Sequence, residues 1–167
     1  MKKTVIKFGL YGFLTAAILF LLALVLGGKL SYGTQEIIGY SSIVVSLVFV
    51  FFGIKNYRDK ENHGSISFGK ALGIGMLITL FAALGFAIID FIYTAYINPD
   101  FLNQFVNHSI ENLEKTYSGA ELATKTAELK NSMEGMTSSI LALIMFATVL
   151  LIGFVVSLIS SFILNKK

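Results

Sequence analysis

The sequence predicts an all-α protein: a bundle of four transmembrane helices with an amphipathic helical pair between spans three and four. Composition and charge distribution predict this class. Apolar residues make up 55% of the 167 residues and charged residues only 14%, against about 45–50% and about 25% in soluble domains. The charges are bunched, and the long uncharged stretches are typical of helices that cross a bilayer. We expect residues 1–167 to form a single membrane domain.

Four apolar segments are long enough to cross a hydrocarbon core of about 30 Å, which requires about 20 helical residues. They cover approximately residues 8–26, 37–54, 71–97 and 138–164. The first is interpreted as a span rather than a cleaved signal peptide. Its apolar run is too long for a signal, and Gly27-Gly28-Lys29 is a poor cleavage site.

The distribution of Lys and Arg predicts that both termini face the cytoplasm. Nine basic residues lie on the side of the termini and four on the other side. The nine are Lys2, Lys3, Lys7, Lys55, Arg58, Lys60, Lys70, Lys166 and Lys167, and the four are Lys29, Lys115, Lys125 and Lys130.

Residues 98–137 form the only aqueous segment of any size, with six acidic residues against three lysines. Asn98-Pro99-Asp100 places a capping side chain before a proline at the first helical position. Apolar residues then recur at helical spacing, and the capping box of Ser118 to Glu121 restarts a second helix that ends near Gly135. The apolar positions of the first helix are Leu102, Val106, Ile110, Leu113 and Tyr117.

Two interpretations of this helical pair remain open. The favoured one is a solvated cap whose apolar face rests on the spans or on lipid headgroups. The other is a docking surface for a partner outside the cell. Glu111–Lys115 and Glu121–Lys125 have the i,i+4 spacing of ion pairs that stabilise an exposed helix.

The stretch Gly64-Ser65-Ile66-Ser67-Phe68-Gly69-Lys70-Ala71 differs from a P-loop only in its last residue. Ala71 lacks the hydroxyl that binds Mg²⁺, and a membrane span precedes the stretch where a P-loop follows a buried strand. We therefore expect no nucleotide here. Instead, Gly64 permits a tight turn, Ser65 or Ser67 caps the third span, and Arg58 and Lys70 help to hold the turn in the cytoplasm.

Small residues four apart let helices approach closely in lipid. Gly69 and Gly73 form such a pair, and Ala71 and Gly75 repeat the spacing. A matching ladder on the last span consists of Gly153, Ser157 and Ser161. We expect spans three and four to pack through these faces, so that Gly73→Leu would destabilise the bundle.

Asp90 is the one acidic residue inside an apolar run, and an ionisable residue within a span is a candidate site. Its depth places it at the outer end of the hydrocarbon beside Tyr93 and Tyr96, which suit an aromatic belt. The favoured interpretation is an interfacial carboxylate. A proton or cation relay and a structural hydrogen bond are the alternatives, the relay being disfavoured because no span carries a lysine or histidine partner.

Several chemistries are not expected. The chain has no cysteine, and His63 and His108 are predicted on opposite sides of the membrane, so no metal or cofactor site is predicted. Motifs for catalytic residues are absent. The cations lie at the ends of apolar segments, whereas a nucleic-acid-binding protein gathers them in one stripe. The remaining candidates for function or packing are Asp90, Arg58, Lys70, Gly69 and Gly73.

Three parts of the chain resemble a known protein family. They are the stretch from Gly53 to Ala71, the segment Ile97-Asn98-Pro99-Asp100-Phe101, and a fourth span that ends in basic residues. The chain resembles a family of bacterial four-helix membrane proteins known only as a domain of unknown function. The resemblance covers essentially the whole chain and implies a compact inner-membrane protein with an outer helical segment. It implies no catalytic residue, ligand or partner.

The expected function is that of a non-enzymatic membrane component, accessory or structural. It would lie in the lipid bilayer and contact a membrane-protein partner or further copies of itself, without nucleic acid or nucleotide. The alternative is a small transporter or channel-forming oligomer that uses Asp90.

Overall fold

A computed structural model describes residues 1–27 and 30–166, apart from the side chain of Tyr32. Gly28, Lys29 and Lys167, which the sequence-based topology uses, lie outside the described residues. Within these ranges there are six α-helices and no β-strand. They are α1 (Lys2–Gly27), α2 (Tyr32–Asn56), α3 (Phe68–Ile92), α4 (Phe101–Thr116), α5 (Gly119–Met133) and α6 (Ser138–Leu164).

Four of these helices, α1, α2, α3 and α6, are long and apolar enough to cross a membrane. They coincide with the four predicted spans. The all-α class and the number of candidate spans are therefore confirmed. Three of the helices extend beyond the predicted apolar segments, because flanking polar residues continue the backbone hydrogen bonds of a helix without adding to its hydropathy.

The helices α2 and α3 each continue into a wider π-helical turn, at Tyr57–Glu61 and Tyr93–Ile97 respectively. Each turn begins with a tyrosine and is followed by an asparagine five residues later. Tyr57 Oη donates to Asn62 Oδ1 at 3.4 Å, and Asn98 Nδ2 donates to Tyr93 Oη at 3.5 Å. The same Tyr-x4-Asn spacing therefore ends two of the candidate spans.

The helix α3 contacts the other three long helices, most extensively α6 and α1. Its buried side includes Ile74, Ile78 and Phe86, whose ring lies 5.1 Å from that of Phe20 on α1. The outward sides of the long helices expose large apolar side chains such as Leu151. Surfaces of this kind need an apolar environment, which a bilayer provides.

The helices α4 and α5 contact each other, and neither contains a buried residue. The helical pair is as predicted, but its start is different. Asn98 does not cap α4: the helix begins at Phe101 with Asp100 as its N-cap residue, and Pro99 lies in the preceding turn. Asn98 instead donates to Gln104 Oε1 at 3.1 Å.

The predicted i,i+4 ion pairs are not formed, because each lysine has a partner three residues away on the same helix face. Lys125 Nζ lies 3.0 Å from Glu128 Oε2, and Lys115 Nζ donates to Asn112 Oδ1 at 3.1 Å. The Glu128 carboxylate raises the pKa of Lys125. Ser118 is the N-cap residue of α5 as expected, although its side chain makes no capping hydrogen bond. The helix ends before Gly135, whose φ is +77°.

Candidate functional site

Residues 57–67, between α2 and α3, form a turn that we call the basal turn. It brings several segments together at one end of the molecule. We call this end, where Thr4, residues 57–67 and Lys166 meet, the basal end. On its α1 side, Thr4 Oγ1 donates to the carboxylate of Glu61, to which the amino group of Met1 also binds. Asn56 Nδ2 donates to Thr4 Oγ1 at 3.4 Å. These contacts attach the start of α1 to the end of α2.

Arg58 and the adjoining backbone connect the same turn to α6. Arg58 Nη1 donates to the carbonyl oxygen of Leu164, the last residue of α6, at 3.5 Å, and its Nε donates to Asp59 Oδ1 at 2.6 Å. Ile66 and Lys166 exchange two backbone hydrogen bonds, of 2.8 and 3.0 Å. The turn is therefore joined to the end of α6 through both a side chain and the main chain.

Lys70 lies on the first turn of α3, with Nζ 5.0 Å from the centre of the Tyr57 ring. An ammonium group at this distance from a ring interacts favourably with its π electrons. Tyr57 is buried and Arg58 follows it in the chain. The structure thus places both predicted candidates next to the same tyrosine: Arg58 follows it in the chain, and Lys70 lies over its ring.

The backbone N–H groups around the P-loop-like stretch already have partners within the protein. Gly64 has a φ of +82°, as a tight turn requires, and the preceding His63 has a φ of +53°. Three successive N–H groups are already bonded: Gly64 to Arg58, Ser65 to Asn62 and Ile66 to Lys166. A P-loop offers such groups to phosphate.

The expected side-chain cap of α3 is not formed. Ser67 is the N-cap residue, but its side chain makes no capping hydrogen bond. Ser65 Oγ is engaged elsewhere, because it donates to the carbonyl oxygen of Asn62 at 3.3 Å.

The prediction that α3 packs through Gly69 and Gly73 is wrong. Both residues are exposed, and nothing lies within 4 Å of the position of an added Cβ. The second predicted pair, Ala71 and Gly75, does pack: both residues are buried, and a Cβ on Gly75 would lie 2.8 Å from Ser157 Oγ on α6. Because each residue turns an α-helix by about 100°, a face two residues away points to nearly the opposite side.

The small residues predicted on α6 do lie in this interface. Gly153 faces Thr79, which a Cβ at that position would overlap, and both Ser157 and Ser161 are buried. Thr79 Oγ1 and Ser157 Oγ are 3.5 Å apart. Small and hydroxylic side chains therefore allow α3 and α6 to approach closely.

Asp90 lies near the end of α3, as predicted, and its side chain is buried within the protein. It is 7% exposed. Its backbone carbonyl accepts a hydrogen bond of 2.8 Å from Thr94 Oγ1 in the following π-helical turn. None of the side chains that the structure describes donates a hydrogen bond to its carboxylate. Its burial depends on packing between helices, which a count of residues along one span does not give.

Two cavities lie near the helical pair α4–α5. One of about 180 Å³ is lined by Thr94, Pro99 and residues at the ends of α4 and α6, including Leu102 and Leu141. The other, of about 470 Å³, is an open groove between α4 and α5. Among the described residues no group of three or more His, Cys, Asp or Glu side chains is placed to hold a metal ion.

The contacts of Thr4, Asn56 and Glu61 at the basal end were not predicted from the sequence. They join residues more than fifty positions apart, and no local pattern reports such pairs. One local signal was available: the strings Tyr-Arg-Asp-Lys-Glu-Asn and Tyr-Thr-Ala-Tyr-Ile-Asn share the Tyr-x4-Asn spacing of the two π-helical turns.

A family model described as "Protein of unknown function (DUF4199)" matches residues 7–166, nearly the whole chain. No curated protein and no solved structure matches the chain.

Proposed function

We propose that this chain, which belongs to the DUF4199 family of proteins of unknown function, is a non-enzymatic integral membrane protein with an accessory or structural role. It would form one domain, a four-helix bundle in the inner membrane of a bacterium, with both termini in the cytoplasm. The basal end and the helical pair α4–α5 would be its contact surfaces.

The observation that carries this proposal is the separation of polar from apolar surface. Four long helices are apolar on their outward sides, and the interior between them is filled by side chains such as Leu47, Ile78 and Phe86. Apart from Glu36 on α2 and Asp90 on α3, the described charged side chains lie at the basal end or within residues 98–137. A protein built in this way offers its polar contacts to partners at the two ends.

Site-specific photocrosslinking in native membranes tests this role. A photoreactive residue replaces Phe105, which is 41% exposed on α4, or His63 in the basal turn. A matched control replaces Leu151, which is 70% exposed on the outward side of α6. We expect mass spectrometry to identify one protein reproducibly from Phe105 or His63 but not from Leu151.

Capture of only this same chain from both positions would replace the accessory role with a homo-oligomer. Capture of the same set of proteins from all three positions would contradict any specific contact surface.

The second candidate is a small transporter or channel-forming oligomer that uses Asp90. The observation that favours it is the burial of this carboxylate one helical turn from Thr94, which lines the cavity of about 180 Å³. Flux of protons or monovalent cations into liposomes tests it, with Asp90→Asn as the matched variant. Flux that is lost in Asp90→Asn would support transport, and a stable monomer without flux would remove this candidate.

A further inference from the structure

The basal end carries a surplus of positive charge that its described acidic side chains do not neutralise. Its described part has eight Lys and Arg side chains and two acidic ones. Both acids already have partners, since Asp59 pairs with Arg58 and Glu61 binds Met1 and Thr4. The basic residues are Lys2, Lys3, Lys7, Lys55, Arg58, Lys60, Lys70 and Lys166.

Three of these lysines come from separate segments, and each lies beside a residue of the basal turn. Lys55 is in the last turn of α2, Lys70 is in the first turn of α3, and Lys166 follows α6. Lys55 and Lys166 are both close enough to Asp59 to stabilise its negative charge, and Lys70 lies over the Tyr57 ring.

All three side chains are exposed, and among the described residues none has a carboxylate oxygen within 4.0 Å. We call Lys55, Lys70 and Lys166 the basal lysine cluster.

We propose that the basal lysine cluster binds the phosphate headgroup of an anionic phospholipid, an inference that rests on the proposed membrane location. The cluster lies where α2 and α6 end and α3 begins. This is the level of the phosphates when these helices span a bilayer. Basic groups between the ends of spans attract anionic headgroups. These ammonium groups make no direct ion pair with a described residue, so no such pair has to be broken when they form charge-assisted hydrogen bonds with a phosphate.

The opposite end of the molecule provides a built-in contrast. Residues 98–137 contain six acidic side chains against Lys115, Lys125 and Lys130. Lys125 is already paired with Glu128, and Lys115 is hydrogen-bonded to Asn112. Three lysines in an acidic surrounding are not expected to concentrate anionic lipid, so they form a control set of equal charge.

The test compares two triple variants with the unaltered full-length chain. One is Lys55→Gln, Lys70→Gln and Lys166→Gln, and the other is Lys115→Gln, Lys125→Gln and Lys130→Gln. Each protein is purified in a neutral detergent and titrated with phosphatidylglycerol or phosphatidylcholine, and native mass spectrometry counts the bound lipids. Circular dichroism and gel filtration confirm that each variant keeps its helix content and size.

We expect the unaltered chain and the control triple variant to bind phosphatidylglycerol at least about tenfold more tightly than phosphatidylcholine. The basal triple variant should lose this preference, because its affinity for phosphatidylglycerol should fall by roughly fivefold for each lysine replaced. Equal binding of the two lipids by the unaltered chain, or an unchanged preference in the basal triple variant, would overturn the proposal. Displacement of phosphatidylglycerol by millimolar inorganic phosphate would also overturn it, because the ligand would then be a free anion.

If the basal triple variant does not fold, Lys70→Gln replaces it, and Lys70→Arg should restore the preference because it keeps the charge. The failure of this proposal is distinguishable from the failure of the proposed function. A chain that does not sediment with membranes contradicts the membrane role itself, whereas an inserted chain without lipid preference contradicts only the basal lysine cluster.

Discussion

At the scale of single residues, Gly85 shows how closely two helices approach. A Cβ at this position would lie 2.8 Å from the carbonyl oxygen of Phe13 and 3.1 Å from the Cβ of Ala16, both on α1. A backbone oxygen cannot rotate away as a side chain does, so the contact between α1 and α3 requires glycine here. Gly73, on another face of the same helix, has open space around it.

We therefore predict that Gly85→Ala destabilises the protein by about 1–3 kcal/mol through overpacking. Gly73→Ala is the matched control, and its effect should range from none to a gain of about 1 kcal/mol, because alanine favours a helix more than glycine does. Unfolding by sodium dodecyl sulfate in mixed micelles, followed by circular dichroism, measures both. Equal losses in the two variants would contradict the packing described for α3.

The register of α3 is the part of the fold that the sequence could not supply. Hydropathy located α3 well because it needs only a count of apolar residues, but α3 is apolar all round, so no periodicity shows which side meets a neighbour. For this reason the sequence could not decide between the Gly69–Gly73 pair and the Ala71–Gly75 pair, both predicted to pack, of which only the second does. On α4, where polar and apolar residues alternate at helical spacing, Leu113 and its apolar neighbours are partly covered as a periodic face predicts.

At the scale of elements, the basal turn depends on one asparagine. Asn62 Nδ2 donates to the carbonyl oxygen of Ser65 at 2.6 Å, and Asn62 Oδ1 accepts from Tyr57 Oη. Both partners are partly or fully buried, so loss of the amide would leave groups with unsatisfied hydrogen bonds.

We predict that Asn62→Ala lowers the free energy of unfolding by about 1–3 kcal/mol. The control is Asn131→Ala on α5, where the asparagine is exposed, and its effect should be small. Thermal unfolding in detergent, followed by circular dichroism, compares the two. A loss of stability in Asn131→Ala as large as that in Asn62→Ala would contradict a specific contribution of the Asn62 hydrogen bonds to the stability of the protein.

The helical pair α4–α5 should open independently of the long helices. Neither helix has a buried residue, whereas α3 has many. Local opening costs least where few apolar contacts are lost.

Hydrogen exchange with mass spectrometry in detergent should therefore show amides of residues 101–133 exchanging at least about 100-fold faster than those of residues 74–86. Similar protection in the two segments would mean that α4 and α5 are held by contacts that their exposure does not reveal.

At the scale of the whole molecule, the charge distribution predicts orientation. The basal end has a surplus of positive charge, and residues 98–137 have a surplus of negative charge. The structure places the predicted candidates Arg58 and Lys70 together at the basal end.

The positive-inside rule predicts that the basal end faces the cytoplasm. A reporter enzyme active only outside the cytoplasm should work when inserted next to Lys115 and fail when fused after residue 166. The reverse pattern would overturn the topology, while activity at both positions would show that the four long helices do not all span the membrane.

The backbone pair between Ile66 and Lys166 has a consequence for biosynthesis. Ile66 precedes α3 and Lys166 follows α6. During translation, Ile66 is therefore made before α3, the helical pair α4–α5 and α6. Main-chain hydrogen bonds cannot form with residues that the ribosome has not yet added. The pair of hydrogen bonds that joins the basal turn to the end of α6 can therefore form only after α6 has been synthesised.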